Sequence, residues 1–280
     1  MNIVLVCINN YQEYILNNIK QLITLGHYNI FVIIDLQMFP HFNEYNSKIK
    51  LIDINELNDD THNFSVNSCL DRSFRNGFWH LTSLRFFYIY EFMKKYNVDN
   101  VIHLENDVPI YYNCNELNDY IDQNFMYIPF DSYKRNIASI MYIPNKEIFK
   151  IILDNYDFNK NDMDNFTNIK QKTKLIKNFP IFIKNKNLSD EQNFVSENSD
   201  TFPFIFDAAA IGQYLGGVDP RNDPSDTKGF INETCVIKYN KYKIWFEEIN
   251  KIKKPFIQIE DKKIPIFNLH IHSKKLIDFI

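Results

Sequence analysis

The run Val98–Tyr111, VDNVIHLENDVPIY, constrains this chain most. Val101, Ile102 and Leu104 are the residues of a strand buried inside a sheet. The apolar run then stops, and Glu105 and Asp107 stand two positions apart, so in extended backbone both carboxylates point the same way. Two carboxylates at a strand end repel, and are costly to desolvate unless a cation joins them. Hard oxygen ligands suit Mg²⁺ or Mn²⁺, and such ions usually also hold substrate phosphates. A solvated turn would carry the same triplet. The strand-end position favours a site, because ligands of open α/β sheets sit outside the carboxyl ends of the strands.

The preceding residues alternate strand and helix. Residues 2–8 are an apolar strand. Asn9 or Asn10 caps a helix over about Tyr11–Leu25, with Tyr14, Ile15, Ile19, Leu22 and Ile23 on one stripe and Gly26 at its end. Asn29–Asp35 is a second buried strand that again finishes in an acid, and 50–54 is a shorter third. That order predicts parallel strands with a crossover. An aromatic helix spans 74–96, with Arg85 facing either water or a phosphate.

After the acidic strand, the pattern predicts a helix near 115–123 and a strand near 137–143. Ala138 and Ser139 are small enough there to let a ligand or another backbone approach. A helix follows over 145–155. Residues 157–200 read as polar loops with short elements and no sheet core; Asp162-Met163 is a substrate loop or plain surface.

The C-terminal third carries two further signals. Four of the six glycines lie between Phe202 and Phe230, and Gly216-Gly217 open a polar loop. Asp207 precedes a helix expected over 208–215, either as its cap or as a carboxylate at the edge of an acceptor pocket. The chain then ends in a short strand where His270 and His272 share a face, followed by Lys274 and Lys275. Imidazole there suits a metal and ammonium suits phosphate.

Composition narrows the class. The chain has 280 residues, 45% hydrophobic and 24% charged, enough for a sizeable core, and no linker divides it. A net charge of −4 argues against a nucleic-acid partner. The N-terminus leads straight into a strand, and no apolar run is long enough to span a bilayer. Cys7, Cys69, Cys114 and Cys235 are scattered with no CxxC pair, so a reducing, cytoplasmic location is expected.

Taken in order, Glu105-Asn106-Asp107, Ala138-Ser139, Phe206-Asp207-Ala208-Ala209 and Leu269–Lys274 resemble the GT-A class of nucleotide-sugar glycosyltransferases. The resemblance implies one α/β domain over 1–280, with a mixed, mostly parallel, Rossmann-like sheet flanked by helices. Residues 1–112 would form the nucleotide-sugar half, and 113–280 the acceptor half with a metal- and phosphate-binding tail. It implies a nucleotide-diphosphate sugar donor, a glycan or other hydroxyl acceptor, and Mn²⁺ or Mg²⁺ held by Asp107 with His270 or His272. Glu105 would hold the ribose or the metal, Lys274 or Lys275 the diphosphate, and Asp35 the nucleoside. Asn9, Arg85, Asn106, Ala138, Ser139, Gly216 and Gly217 complete the expected substrate contacts, and Asp207 is the expected catalytic carboxylate. The sequence departs from the family pattern at Glu105, where aspartate is usual. The alternatives are a sugar-1-phosphate nucleotidylyltransferase and a non-catalytic glycan-binding module. The first would want a glycine- and basic-rich loop after the first strand, and Ile8–Tyr11 is neither.

Overall fold

A computed structural model describes residues 1–215 and 234–280. The strands β1 (Asn2–Cys7), β2 (Ile30–Ile34) and β3 (Lys50–Asp53) pair in parallel, and α1 (Ile15–Thr24) makes the first crossover. β4 (Val101–Leu104) pairs in parallel with the other side of β1, Val4 lying opposite His103. The sheet therefore grows in both directions from β1. The crevice beyond the carboxyl ends of β1 and β4 is the switch point where such sheets bind ligands. β5 (Met126–Pro129), β6 (Ile140–Ile143) and β7 (Ile176–Phe179) complete the order β3-β2-β1-β4-β6-β5-β7. β6 runs antiparallel to both of its neighbours and the other pairs are parallel. This is the mixed, mostly parallel α/β sheet that the family resemblance implies, with the parallel crossover that the strand–helix–strand pattern predicts.

The flanking helices are α2 (Phe64–Asn67), α3 (Phe78–Tyr96), α4 (Lys146–Leu153), α5 (Asp162–Thr173), α6 (Asp190–Val195) and α7 (Gly212–Leu215). Several differ from expectation for local reasons. The aromatic helix starts at Phe78, because Arg75, Asn76 and Gly77 all take left-handed φ. The helix expected near 115–123 is a 3₁₀ turn, Cys114–Leu117, closed by a capping box between Asn113 and Glu116. Ala138 and Ser139 lie just before β6 instead of within it. The largest correction concerns 157–200, which contains α5 capped by Asn161, α6 capped by Ser189, and the edge strand β7. A second sheet, the antiparallel meander β8 (Ile244–Ile249), β9 (Ile252–Ile259) and β10 (Lys262–Pro265), was not expected at all. No helix among the described residues is long and apolar enough to cross a membrane. The four cysteines are free.

His103 gives the sheet a pH dependence. It is buried in β4 with Nδ1 3.0 Å from the Val4 carbonyl. Burial, with the Arg85 charge adding to it, pushes its pKa down to about 3. Burial likewise pushes His27 down to about 4. An unfolded histidine titrates near pH ~6.5, so below that value the unfolded chain takes protons that the folded chain refuses. The stability is whole above the unfolded value and is lost as pH falls toward the folded ones. His103→Gln is expected to flatten this acid limb, measured by urea unfolding at roughly pH 7 and pH 5. An unchanged pH slope would remove His103 as its source.

Candidate active site

Three chain segments meet at the carboxyl end of β4. The first is the acid turn itself. The Glu105 N–H donates to the Ser139 carbonyl at 2.9 Å, and the Val108 N–H donates back to the Glu105 carbonyl at 3.0 Å. From α1, the Asn18 amide reaches the carbonyls of Glu105, Asn106 and Val108 at 3.3, 3.3 and 3.2 Å. Asn106 fastens the turn to β1, donating to the Val6 carbonyl at 2.9 Å and to Gln12 Oε1 at 2.8 Å. Its NH₂ group is thus committed to the scaffold, and its Oδ1 is buried without a hydrogen-bond partner among the described residues.

The second segment is the tail that follows β10. It runs antiparallel beside 107–111 and is tied to it at alternate residues. Tyr111 N–H donates to the Phe267 carbonyl at 2.9 Å, Leu269 N–H to Pro109 at 3.1 Å and Ile271 N–H to Asp107 at 2.9 Å. This register carries His270, His272 and Lys274 to Asp107. His270 Nε2 lies 3.2 Å from Asp107 Oδ2 and 3.4 Å from Glu105 Oε2, and Lys274 Nζ pairs with Asp107 Oδ2. The His270 and His272 rings stand 4.6 Å apart, edge to face.

The third segment, Ile205–Gly212, lies on the far side of the tail. Asp207 is 0% exposed. Its Oδ1 accepts from the N–H groups of Ala210 and Ile211 at 2.7 and 2.9 Å, and its Oδ2 from Gly212 and His270 at 2.7 and 2.9 Å. Asn268 bonds the Asp207 backbone in both directions, at 3.2 and 3.3 Å. The helix expected to start at 208 starts at Gly212. Of the two roles expected for Asp207, these bonds occupy the capping one: a carboxylate filled by four amides, inside the protein, fixes the backbone of His270. Gly212 belongs to the same device. A Cβ there would lie 2.6 Å from the His270 nitrogen and 2.8 Å from its oxygen.

Electrostatics follow from this packing. Burial raises the Asp107 carboxyl, but Lys274 and then His270 outweigh it and hold it well below the usual carboxylate range. Burial lowers His270, yet the Asp107 carboxylate more than offsets it, so the net direction is up. Arg85, 8% exposed, is buried and does not face water. Its guanidinium pairs with Glu105 Oε1, lies 3.4 Å from Asp162 Oδ2 and 3.4 Å from the Ala138 carbonyl, and covers the Phe86 ring. Asp162, raised by burial against the opposing pull of Arg85, is a buried partner and not a surface loop.

Asp107, His270 and His272 each offer a ligand atom, and these atoms all lie within 4.8 Å of one another. A carboxylate with imidazole nitrogens fits a divalent ion. His270 Nδ1 is buried without a hydrogen-bond partner, so the ring is held by the carboxylates on its other nitrogen and by its backbone.

The remaining expected residues fall elsewhere. Asn9, at φ 68°, gives its N–H to Asp35 Oδ2 at 2.6 Å, so the two form a corner at the ends of β1 and β2. Lys275 is exposed. Ser139 is wholly buried, its carbonyl holding Glu105. Gly216 and Gly217 lie outside the described residues.

No protein-family model and no curated protein matches the chain by sequence. Solved structures do resemble it. Its solved neighbours include glycosyltransferases. An active-site mutant of LgtC is 15% identical, covering 71% of this chain and 83% of its own, at a TM-score of 0.47. Mouse xyloside xylosyltransferase 1 is 12% identical over 64% of this chain and 84% of its own, at 0.45. A cytidylyltransferase from Leptospira borgpetersenii is also similar, 8% identical over 69% and 77%, at 0.37.

Proposed function

We propose that the chain is a metal-dependent glycosyltransferase that moves a sugar from a nucleotide diphosphate donor to an acceptor hydroxyl. The observation that carries this reading is the convergence of Asp107, His270, His272 and Lys274 at the β1/β4 switch point. Asp107 and His270 are the nearer pair of metal ligands, with His272 beside them. A bound ion supplies positive charge to the departing diphosphate. Lys274 offers a mobile ammonium to the same phosphates. Glu105 is spanned by Arg85 on one oxygen and faces His270 with the other, which orients the imidazole. Asn9 and Asp35 form the nucleoside corner. The proposed donor half, 1–112, thus takes part of its site from the tail of the acceptor half. The free thiols favour a reducing, cytoplasmic setting.

Purified protein incubated with a panel of nucleotide sugars, with and without Mn²⁺, tests this. Release of a nucleoside diphosphate that requires the ion is expected. Pyrophosphate formed instead in a parallel incubation supplied with a nucleoside triphosphate and a sugar 1-phosphate would make the chain a nucleotidylyltransferase. Glycan retention without turnover of any donor would make it a binding module.

A further inference from the structure

Lys274 holds a position that a diphosphate-binding lysine does not need. Its ammonium sits on Asp107 Oδ2, the oxygen that also faces His270 Nε2. Asp107 is 5% exposed and the Lys274 side chain is partly buried, so this pairing is largely shielded from bulk water. The backbone under it is fixed. Ile271 N–H holds the Asp107 carbonyl at 2.9 Å and Lys274 N–H closes a turn onto Ile271 at 3.1 Å. Lys274 itself takes φ 64°, a left-handed conformation that a non-glycine residue keeps when its surroundings impose it, and such residues cluster at ligand clamps. Its four-carbon stem is the free part, and the ammonium also lies 5.5 Å from the Tyr14 ring centroid. The other cation of the cluster, Arg85, is already divided between Glu105 and Asp162.

Resting on the metal reading above, we propose that Lys274 is a built-in counter-cation that a metal ion must displace from Asp107, and that the displaced ammonium then serves the diphosphate. The two ligands are thereby coupled. The ion binds weakly alone, because it competes with an ammonium already at its carboxylate. A diphosphate gives that ammonium a new partner, so each ligand strengthens the other, and by linkage the strengthening is reciprocal. Lys274 opposes one ligand and supports the other, which a purely structural lysine does not do.

The test measures Mn²⁺ binding alone, by the spin-resonance signal of free Mn²⁺, on wild type, Lys274→Met, Lys274→Arg and Asp107→Ala. Apparent affinity scales with the fraction of molecules whose site is open, so Lys274→Met is expected to bind Mn²⁺ about tenfold tighter. Lys274→Arg, which keeps the charge, is expected to stay near wild type. Inorganic pyrophosphate is then titrated into the Mn²⁺-saturated proteins by calorimetry, and Lys274→Met is expected to bind it about tenfold more weakly. Opposite signs for the two probes support the proposal. Mn²⁺ binding that is unchanged or weaker in Lys274→Met overturns it, and a variant that loses both affinities marks a folding role instead. If wild type and Asp107→Ala bind Mn²⁺ alike, the ion does not sit on Asp107. The metal reading then fails first and the lysine role with it.

Discussion

Asp107→Ala is expected to lower ion-dependent sugar transfer by roughly 10²–10³-fold, the loss seen when one preorganised charge-stabilising group is removed from an active site. The expectation rests on position. Asp107 is the carboxylate at which His270 Nε2 and Lys274 Nζ both arrive, at the end of β4 and at the sheet's switch point. Truncation also leaves the Lys274 ammonium and the His270 ring beside a buried gap, which costs stability of its own. Asp107→Asn, which preserves shape, separates the two effects. Transfer and Mn²⁺ affinity should fall together in Asp107→Asn while urea unfolding stays cooperative. Near-wild-type transfer in a folded Asp107→Asn protein would take Asp107 out of the chemistry.

What the sequence made legible was the part that depends on local pattern. β1, β2 and β4 are largely apolar runs, broken in β4 only by His103, that lead to Asn9, Asp35 and Glu105, so both the sheet and the edge that carries the acids could be read directly. The pairing of Asp107 with the His270–Lys274 stretch is not local. It depends on a tail register set by backbone bonds from Pro109 and Asp107, more than 150 residues away in sequence. Resemblance supplied that pairing, and periodicity did not. Arg85 was misplaced because its partners, Glu105 and Asp162, come from different elements, and nothing in the helix pattern marks a buried cation. One signal was available and missed. Asn18 and Gln21 interrupt the apolar stripe of Ile15, Ile19 and Leu22, and both are buried, holding the carbonyls of the acid turn and of Ile110. A polar residue on the apolar face of a helix asks for a backbone partner. The second sheet was invisible for the opposite reason. β8 and β10 are half-exposed, β10 begins in lysines, and β9 carries Lys253 and Lys254 within its run, so the apolar residues Ile244–Phe246 and Phe256-Ile257 come only in short, interrupted stretches.

The second large effect falls on Asp207, and it separates two readings of the same residue. Sequence alone placed a carboxylate before a helix, where it could cap or take part in transfer. In the fold it accepts four backbone N–H groups from Ala210, Ile211, Gly212 and His270, with no exposure. Each buried donor left unpaired costs about 1–3 kcal/mol, so Asp207→Ala is expected to remove on the order of 4 kcal/mol or more. That is a large share of the ~5–15 kcal/mol by which domains are stable. Asp207→Asn is the sharper probe. One oxygen becomes an NH₂ that must face two N–H groups, either those of Ala210 and Ile211 or those of Gly212 and His270. In the second case the His270 backbone loses its anchor. Gly212 packs so closely against it that even a Cβ would come within 2.6 Å of the His270 nitrogen, which leaves no room for a compensating shift. Asp207→Asn is therefore expected to lower the urea midpoint and to weaken Mn²⁺ binding together, with transfer falling in proportion to the ion lost. Saturating Mn²⁺ should restore much of that transfer. A variant with wild-type stability and wild-type Mn²⁺ affinity, but without transfer, would return Asp207 to the acceptor, and the loop of amides around it would then have to open during turnover.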